Sequence, residues 1–387
     1  MEEVAVIGLG AVGSMALWRL ASRGVRVVGF ERFGAAHSRG SSHGETRMNK
    51  IIGDQPAPYK PLARRADELW KRLEEESGRQ LAVESGGLVI GPKDGPYVTR
   101  ARRLADAQEM PYEEIDADEI RRRYPVHAVD DGDVALVDPH AGYLRSEDGI
   151  RAALLRAKAL GAETHFDTVA TLVRDEGDAG VVVDVDGEER RFRRVVLSAG
   201  AWIPQEMPDA APVAPVRINA TWFSPNDERA PLDAEHFPVF MRELADGRIG
   251  WGFPQVSERG VKIGLHGRYG TPVIDATAND RPVAPDEVAA IADFVRAGFP
   301  ALVPTPSTAV PCMVTWAPDE TFAIGSPEGW ENVVVMSACS GHGFKYAPAS
   351  GELAAQLALG EEPFADISAF DLTRFTDAEP VGTPRIG

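Results

Sequence analysis

The chain has 387 residues, of which 44 % are hydrophobic and 26 % are charged, and its formal net charge is −18 at pH 7. This composition is typical of globular proteins and excludes disordered and fibrous ones, while the acidic balance argues against nucleic acid or an anionic membrane as a partner. No apolar run reaches the roughly 20 residues of a membrane-spanning helix, and the chain opens with two acidic residues where a secretory signal would be basic.

The N-terminal residues predict a βαβ unit. Its elements are a strand over 4–7, a helix over 14–23 and a second strand over 25–30. Between the first strand and the helix, Gly8 permits a tight turn, Gly10 lets a pyrophosphate approach the backbone, and Gly13 lets the helix lie close to the sheet. Glu31 follows the second strand at the spacing where an acid accepts ribose hydroxyl groups. The unit therefore predicts dinucleotide binding, and by itself it does not separate NAD from FAD.

A polar, glycine-bearing stretch over 37–47 comes next. It is too rich in small residues to be a helix, and we interpret it as a long functional loop. A solvated surface loop is the alternative.

The rest of the chain alternates between α/β and β-rich segments. The predicted helices cover 59–77, 116–123, 146–160, 285–298 and 349–359, and the predicted strands cover 86–91, 181–185, 192–197 and 332–337. Asp116 and Ser146 are the expected N-caps of their helices, and 125–142 has the Asp, Gly and Pro content of loops and edge strands. The sequence predicts a mixed α/β fold. In it a Rossmann-like dinucleotide-binding domain (1–80, 143–211 and 306–387) is interwoven with a β-rich domain (81–142 and 212–305).

Four further motifs occur in order along the chain. They are GSSHGETR (40–47), GFP with VKIGLH (252–254 and 261–266), PCMVTWAPDE (311–320) and SGHGFK (340–345). Together they resemble the monomeric sarcosine oxidase and N-methyltryptophan oxidase family, flavoenzymes that oxidise secondary amino acids, and the similarity spans about 1–375. The resemblance implies that the α/β segments form an FAD-binding domain and the β-rich segments a substrate domain.

The resemblance also implies which residues contact FAD. These are Gly8, Gly10, Gly13, Glu31, Arg32, Ser38, Ser42, His43, Gly44, Thr46, Arg47, Val169, Ala199, Gly200, Trp202, Cys312, Ser340, Gly341, His342, Gly343, Phe344 and Lys345. Cys312 would carry a thioether to the flavin 8α carbon, and a cation such as Arg47 would stabilise its thiolate. A small buried hydrophobic residue is the alternative for Cys312, and Cys339 has no such context. The turn over 340–343 would direct a helix N-terminus at flavin N1 and C2=O, which favours the anionic reduced ring.

On the substrate side, Lys262 and His266 share one face of an alternating strand with Gly264. An amphipathic strand with this face in water is the alternative. By resemblance, the face lines the flavin cavity, Lys262 assists O₂ reduction near N5, and His266 faces the substrate. Lys345 would pair with the substrate carboxylate, whereas the alternative is a solvated lysine at a helix start.

Three positions depart from the family motifs. Lys50 stands where the family has an arginine that clamps the carboxylate, so the charge is kept and the bidentate fork is lost. Trp251 replaces a tyrosine, and 51–54 replaces a His-Ala-Tyr-Gly stretch. The implied catalytic residues are thus Lys262, His266, Lys345, Lys50, Arg47 and Trp251, with no metal.

We therefore predict an FAD-dependent oxidase of N-methyl or cyclic amino acids, in which a hydride equivalent passes to flavin N5, the imine is hydrolysed and O₂ becomes H₂O₂. The alternatives are an oxidase of fructosyl amino acids or cyclic imino acids, a flavin dehydrogenase that does not use O₂, and a non-catalytic flavin-binding module. An NAD-dependent enzyme is disfavoured because it gives the motifs at 311–320 and 340–345 no role. With only two cysteines, which form neither a disulfide framework nor a zinc pattern, we expect a cytoplasmic monomer whose partners are the amino acid and O₂.

Overall fold

A computed structural model describes residues 2–52, 57–208, 212–267, 270–273, 275–279 and 282–375. Over these residues the chain forms eight α-helices and twenty strands, which are arranged in three sheets. This is the mixed α/β fold that the sequence predicts.

The first sheet has a parallel centre and an antiparallel edge. Its strands are β1 (Glu2–Ile7), β2 (Val27–Phe30), β9 (Glu163–His165), β10 (Ala170–Asp175), β11 (Val181–Val185), β12 (Glu188–Leu197), β19 (Ala323–Gly325) and β20 (Val333–Ser337). Strand β12 pairs in parallel with β1 and β20, β1 pairs with β2, and β2 pairs with β9. Strands β10, β11 and β12 form an antiparallel meander, which confirms the hairpin predicted over 181–185 and 192–197.

Helices pack on one face of this sheet. They are α1 (Ala11–Ala21), α2 (Lys60–Ser77), α5 (Ser146–Ala159) and α8 (Ala347–Leu359). Val4 and Val6 of β1 belong to the core beneath these helices, whereas Ala5 and Ile7 belong to the core on the opposite face. Because successive side chains of a strand point to opposite sides, the continuous apolar run over 4–7 fills both cores.

The second sheet is mostly antiparallel. Its strands are β5 (Gly87–Pro92), β6 (Glu113–Asp116), β7 (Asp133–Asp138), β13 (Ala214–Phe223), β14 (Val239–Glu243), β15 (Ile249–Phe253), β16 (Val261–Leu265), β17 (Thr271–Pro272) and β18 (Thr308–Trp316). The helices of the described residues not yet named are α3 (Pro96–Ala107), α4 (Ala117–Arg123), α6 (Ile203–Glu206) and α7 (Ala289–Gly298). Leu88 and Ile90 of β5 face the core shared with α4 and α7, and Val89 faces the core shared with α3. Although β18 lies within 306–387, it pairs with β13 of this sheet. The division into two domains stays a prediction.

A small third sheet connects the loop over 37–47 with the first two layers. It contains β3 (Thr46–Met48), β8 (Gly142–Arg145) and β4 (Ala82–Glu84), with β8 in the middle. The Ser146 N–H, at the start of α5, donates to the Glu45 carbonyl oxygen at 3.0 Å. The end of the loop is therefore fixed against the beginning of a buried helix.

Several local predictions are corrected by the structure. Ser146 is not an N-cap, because Arg145 holds that position and the Ser146 hydroxyl donates to the Glu147 carboxylate instead. Strand β7, within 125–142, lies between β5 and β6 and is not an edge strand. Helix α3 was not predicted at all. Asp116 is confirmed as the N-cap of α4, since its carboxylate accepts from the Glu119 N–H at 3.0 Å.

In the part of the chain that the structure describes, none of the helices combines the length and apolarity needed to cross a membrane.

Candidate active site

A cleft of about 1040 Å³ opens where β1 ends and α1 begins. Gly8 has φ +86°, and a Cβ on it would lie 2.7 Å from the Ser198 carbonyl oxygen. A Cβ on Gly13 would lie 1.8 Å from the Gly8 carbonyl oxygen, whereas a Cβ on Gly10 would meet only Ser42 Oγ, at 3.8 Å. Gly8 thus makes the tight turn, Gly10 leaves the backbone open to approach, and Gly13 allows close packing, as predicted.

Eight of the 22 residues predicted to contact FAD line this cleft. They are Gly8, Gly10, Glu31, Arg32, Ser42, Ala199, Gly200 and Trp202. The Glu31 carboxylate accepts from the N–H groups of Leu9, at 2.9 Å, and Phe33, at 3.1 Å, and it lies 3.3 Å from His37 Nε2. It is therefore held at the end of β2, where the sequence predicts a ribose-binding acid.

The other predicted residues lie outside the cleft; those of the loop over 40–47, of β18 and of the turn over 340–346 are described below, and the remaining three are Gly13, Ser38 and Val169. Gly13 is on α1 beneath the turn, and Ser38 lines a smaller neighbouring pocket of about 240 Å³. Val169 is exposed, and its N–H donates to the Asp186 carboxylate at 3.0 Å, whereas its neighbours Thr168 and Ala170 line the cleft. Alternation along extended backbone turns the Val169 side chain away.

The second half of the loop over 37–47 is buried and is not a solvated surface loop. Gly44 has φ +93° and Glu45 has φ +71°, so two consecutive residues adopt the left-handed region. The Glu147 carboxylate accepts from the Gly44 N–H at 2.7 Å, from the Glu45 N–H at 3.0 Å and from the Ser146 hydroxyl at 2.6 Å. Burial acts to raise the pKa of Glu147, but these hydrogen bonds outweigh it and hold the pKa below its usual value.

This loop conformation creates a binding position for the Lys262 ammonium. Lys262 is 3 % exposed, and its Nζ donates to the carbonyl oxygens of Gly44 and Thr46, each at 2.7 Å. The rings of Trp222, Trp251 and Phe253 surround Nζ with centroids 5.9, 5.8 and 5.0 Å away. The alternative of a polar strand face in water is therefore wrong for Lys262. Burial, and next the charge of Arg47, lower the pKa of Lys262 well below its usual value.

Cys312 lies on β18 beside the same loop. The thiol is 4 % exposed, with Sγ 3.8 Å from the Gly40 carbonyl oxygen. Burial raises the pKa of Cys312, and the charges of Arg47 and then Lys262 oppose that rise. Arg47 is itself fixed by donating to the carbonyl oxygens of Thr46, at 2.7 Å, and Ser41, at 2.6 Å. Both Arg47 and Lys262 thus influence this thiol electrostatically.

Buried polar atoms near these groups lack hydrogen-bond partners among the described residues. They are Nε2 of His43, Oγ1 of Thr46 and Oγ1 of Thr315. Burial, and next the charge of Arg47, lower the pKa of His43 to about 4, so this imidazole is neutral at pH 7. A buried polar atom without a partner costs about 1–3 kcal/mol. A donor set of this kind therefore fits a polar, ring-bearing cofactor such as FAD.

The glycine-rich turn over 340–346 packs against β18. Ser340 has φ +42° and Gly341 has φ +78°, and the Ser340 N–H donates to the Thr315 carbonyl oxygen at 2.9 Å. The His342 ring stacks on Phe322 with centroids 5.4 Å apart. A Cβ on Gly343 would lie 1.9 Å from the Ala338 carbonyl oxygen. The turn is therefore closely packed against the residues around it.

Lys345 lies at the end of this turn and contacts α2. Its Nζ is 5.2 Å from the ring centroid of Tyr346, and its carbonyl oxygen accepts from Trp70 Nε1 at 3.0 Å. The Trp70 indole also stacks on Phe344, with centroids 5.9 Å apart.

The other predicted substrate residues are more exposed. Lys50 Nζ forms an ion pair with Asp67 Oδ2 at 2.7 Å. His266 is exposed and its ring is 5.9 Å from that of Tyr97. Trp251 lies opposite Gly264 in the sheet and donates from Nε1 to the Leu265 carbonyl oxygen at 3.0 Å. Gly53 and Asp54 of the divergent stretch over 51–54 lie outside the described residues.

Sequence reasoning missed four residues that shape the site. They are Asp67, Glu147, Trp222 and Thr315. Glu147 follows Ser146 at a predicted helix start, which is a position that favours acids for helix-dipole reasons alone. Thr315 lies within the motif over 311–320, which could have identified it, whereas the other three carry no local signal that distinguishes them from ordinary helix or strand residues.

Comparisons with known proteins agree with this geometry. Residues 3–357 match the family described as FAD dependent oxidoreductase. The chain is 37 % identical over 380 residues to a monomeric sarcosine oxidase of Streptomyces avermitilis, with 97 % of this chain and 98 % of that protein covered. It is 33 % identical over 376 residues to an N-methyl-L-tryptophan oxidase of Yersinia pestis, with 96 % and 99 % covered.

Solved structures show the same fold at lower identity. NikD, an unusual amino acid oxidase essential for nikkomycin biosynthesis, matches with a TM-score of 0.82 at 22 % identity, covering 96 % of this chain and 98 % of that one. A glycine oxidase from Geobacillus kaustophilus matches with a TM-score of 0.78 at 21 % identity, covering 96 % and 98 %.

Proposed function

The chain belongs to the FAD-dependent oxidoreductase family, and from that premise we propose that it is an oxidase of secondary amino acids, either N-methylated or cyclic. Its similarity to a sarcosine oxidase and an N-methyl-L-tryptophan oxidase over nearly its whole length supports this substrate class. The observation that carries the proposal is the buried Lys262 ammonium, whose charge acts on the Cys312 thiol, together with polar atoms of His43, Thr46 and Thr315 that lack partners in the described structure.

FAD, when bound, supplies the hydride acceptor for amine oxidation and the electrons for O₂ reduction. The nucleotide half of FAD would occupy the cleft lined by Gly8, Gly10 and Glu31. His43, Thr46 and Thr315 would hydrogen-bond the ring end, and Arg47 would balance negative charge there.

Lys262 has the properties that O₂ reduction requires of a protein side chain. It brings a positive charge into a pocket from which water is largely excluded, where electrostatic stabilisation is strong. Burial lowers its pKa, which makes the ammonium a stronger acid than that of an ordinary lysine. We assign Lys345, together with Lys50, to the substrate carboxylate, and Trp251 to the wall of the substrate space. His266 would face the substrate from the rim.

We also propose that Cys312 attaches the flavin covalently. The bond would join Sγ to the 8α carbon in place of one S–H and one C–H bond, and O₂ would take up the two protons and two electrons as H₂O₂. The charges of Arg47 and Lys262 favour the reactive thiolate. Acid precipitation tests this directly: the wild-type pellet should remain yellow and a Cys312→Ala pellet should be colourless. A yellow pellet from the variant would exclude the tether.

The function is tested by mixing the purified holoprotein anaerobically with sarcosine, pipecolate and fructosyl-glycine, and then admitting air. Bleaching of the flavin by sarcosine or pipecolate, followed by recovery with H₂O₂, is the expected result. Bleaching without H₂O₂ would indicate a dehydrogenase, and no bleaching with any amine would indicate a non-catalytic flavin-binding protein. Bleaching by fructosyl-glycine alone would assign the chain to deglycation.

Since the amine must be neutral to be oxidised, the anaerobic reduction rate should rise with pH between 6 and 10, and a flat profile would contradict this.

The net charge of −18 and the scarcity of cysteine support a cytoplasmic enzyme that has no nucleic-acid or membrane partner, and we propose that it acts as a monomer. Sedimentation velocity of the holoprotein at micromolar concentration tests the monomer.

A further inference from the structure

We propose that Asp67 is a specificity-determining residue that weakens carboxylate binding at Lys50, so that the site also accepts amines carrying an uncharged polar group in place of the carboxylate. The inference rests on the proposed function in one respect, namely that Lys50 and Lys345 face the substrate.

The first observation is the ion pair itself. Lys50 Nζ lies 2.7 Å from Asp67 Oδ2, and each side chain is 36 % exposed, so a small anion from solution can reach the same ammonium. Backbone contacts fix the position of Lys50, because its carbonyl oxygen accepts from the Gly142 N–H at 3.3 Å. The negative charge of Asp67 offsets the positive charge that a carboxylate would seek.

The second observation places Asp67 near the other predicted carboxylate-binding lysine. Trp70, three residues further along α2, donates from Nε1 to the Lys345 carbonyl oxygen at 3.0 Å. Residues three apart on a helix are neighbours on one face, with Cβ atoms roughly 5–6 Å apart. One turn of α2 therefore contacts both lysine residues, through the Asp67 carboxylate at the Lys50 ammonium and through the Trp70 indole at the Lys345 carbonyl oxygen.

The chemical consequence follows from what lysine offers. An ammonium has three donors and no planar fork, so it cannot bind Asp67 and a substrate carboxylate with the bidentate geometry that an arginine would give. A substrate carboxylate must compete with Asp67 for Lys50 and is otherwise bound by Lys345. An amide or hydroxyl group meets no such competition for charge. The substrate class is thus secondary amines in which a carboxylate gives little advantage over a neutral polar group.

The test measures binding of acetate to the oxidised holoprotein, from the change in flavin absorbance, so that no turnover is involved. Asp67→Asn should lower the Kd for acetate by about two- to fivefold, the range that an exposed ion pair supports. Glu68→Gln is the matched control, because it removes the same charge from the adjacent residue, whose carboxylate pairs with Arg65. Its Kd should equal that of the wild type.

A second background isolates the pair. In Lys50→Met, adding Asp67→Asn should leave the Kd for acetate unchanged, and the Kd for acetamide should be the same in all variants. An unchanged Kd in Asp67→Asn alone would overturn the inference. So would equal tightening in the Lys50→Met background or in Glu68→Gln, because the effect would then be one of net charge. Thermal midpoints of the variants establish that each is folded.

A turnover measurement separates this inference from the proposed function. Wild-type kcat/KM for sarcosine and for its amide should differ by less than about tenfold, and Asp67→Asn should widen the ratio in favour of sarcosine through KM. If no N-methyl amine is oxidised while the acetate results hold, the proposed function fails and Asp67 keeps its role at Lys50. If sarcosine is oxidised and the acetate results fail, the inference alone fails.

Discussion

Removing the carboxylate of Glu352 should destabilise the protein, because three arginines in the helical layer would lose their shared partner. Glu352 lies on α8 and is 4 % exposed. Its carboxylate binds Arg19 at 2.6 Å, Arg23 at 3.1 Å and Arg65 at 3.1 Å. The Glu352 carboxylate thus joins α8 to α1 through Arg19, to α2 through Arg65, and to Arg23, which follows α1.

The magnitude follows from the proton affinity of this acid. Burial acts to raise the pKa of Glu352, but hydrogen bonds from Arg23 and Arg19 outweigh it and lower the pKa from 4.5 to about 2. A difference of about 2.5 pKa units corresponds to about 3 kcal/mol of folding free energy at pH 7. Breaking a buried ion pair by removing one partner costs about 3–5 kcal/mol, which agrees.

Urea unfolding followed by tryptophan fluorescence measures this effect. At pH 7 the free energy of unfolding of Glu352→Gln should be about 3 kcal/mol below that of the wild type. Glu361→Gln is the control, because Glu361 pairs with Arg23 at 3.3 Å but is 43 % exposed, and its effect should be within about 0.5 kcal/mol.

The pH dependence has a definite sign. Because the pKa of Glu352 is lower in the folded protein than in the unfolded chain, its stabilisation is complete above about pH 4.5 and is lost as the pH falls through about 2. The gap between wild type and Glu352→Gln should be equal at pH 7 and pH 6 and should shrink to about 1.4 kcal/mol at pH 3. A gap below about 1 kcal/mol at pH 7, or one that stays constant down to pH 3, would refute the reasoning.

Three further predictions concern the site. Lys262→Met should slow reoxidation of the reduced flavin by O₂ at least about 100-fold while the flavin is retained, and an unchanged rate in stopped-flow measurements would remove Lys262 from O₂ reduction. Glu147→Gln should shift the pH profile of that reoxidation to lower pH, because it removes a negative charge that raises the pKa of Lys262. The control Ser146→Ala keeps the Glu147 charge and should leave the profile unchanged. Identical profiles for the wild type and both variants would contradict this. Gly264→Ala should raise KM and cost about 1–3 kcal/mol of stability, because the new Cβ would lie 2.2 Å from the Trp251 ring; wild-type values for both would show that this wall is not closely packed.

The parts of the fold that the sequence predicts correctly are those set by local rules. The turn at Gly8 and the buried stripe of α2 follow from backbone sterics and helical periodicity, and both are confirmed. The missed helix α3 had the same signal, since Tyr97, Val98, Ala101 and Ala105 form its buried stripe behind a Gly-Pro start. The arginines between these residues make the segment polar overall, so that its apolar stripe is less evident in the sequence.

The parts that the sequence does not predict depend on which strands become neighbours. Lys262 looks like the polar side of an amphipathic strand because its own strand says nothing of what lies opposite. In the sheet it faces Trp222 of β13 on one side and Phe253 of β15 on the other. The same holds for Glu147, whose partners Gly44 and Glu45 are about 100 residues away. The family motifs imply an enclosed Lys262, and its burial agrees with that much, because such motifs carry tertiary information that periodicity lacks.

The Lys262 ammonium is held by peptide oxygens, and this has a consequence for how such an enzyme diversifies. No exchange of a neighbouring side chain can delete the acceptors, since every residue type contributes the same carbonyl group. Substitutions at positions such as 50, 67 and 251 therefore leave both acceptors of the Lys262 ammonium in place. The sensitive position is Gly44, because any residue with a Cβ would have to adopt φ +93° there. A single substitution at Gly44 would therefore disturb the loop that holds the Lys262 ammonium.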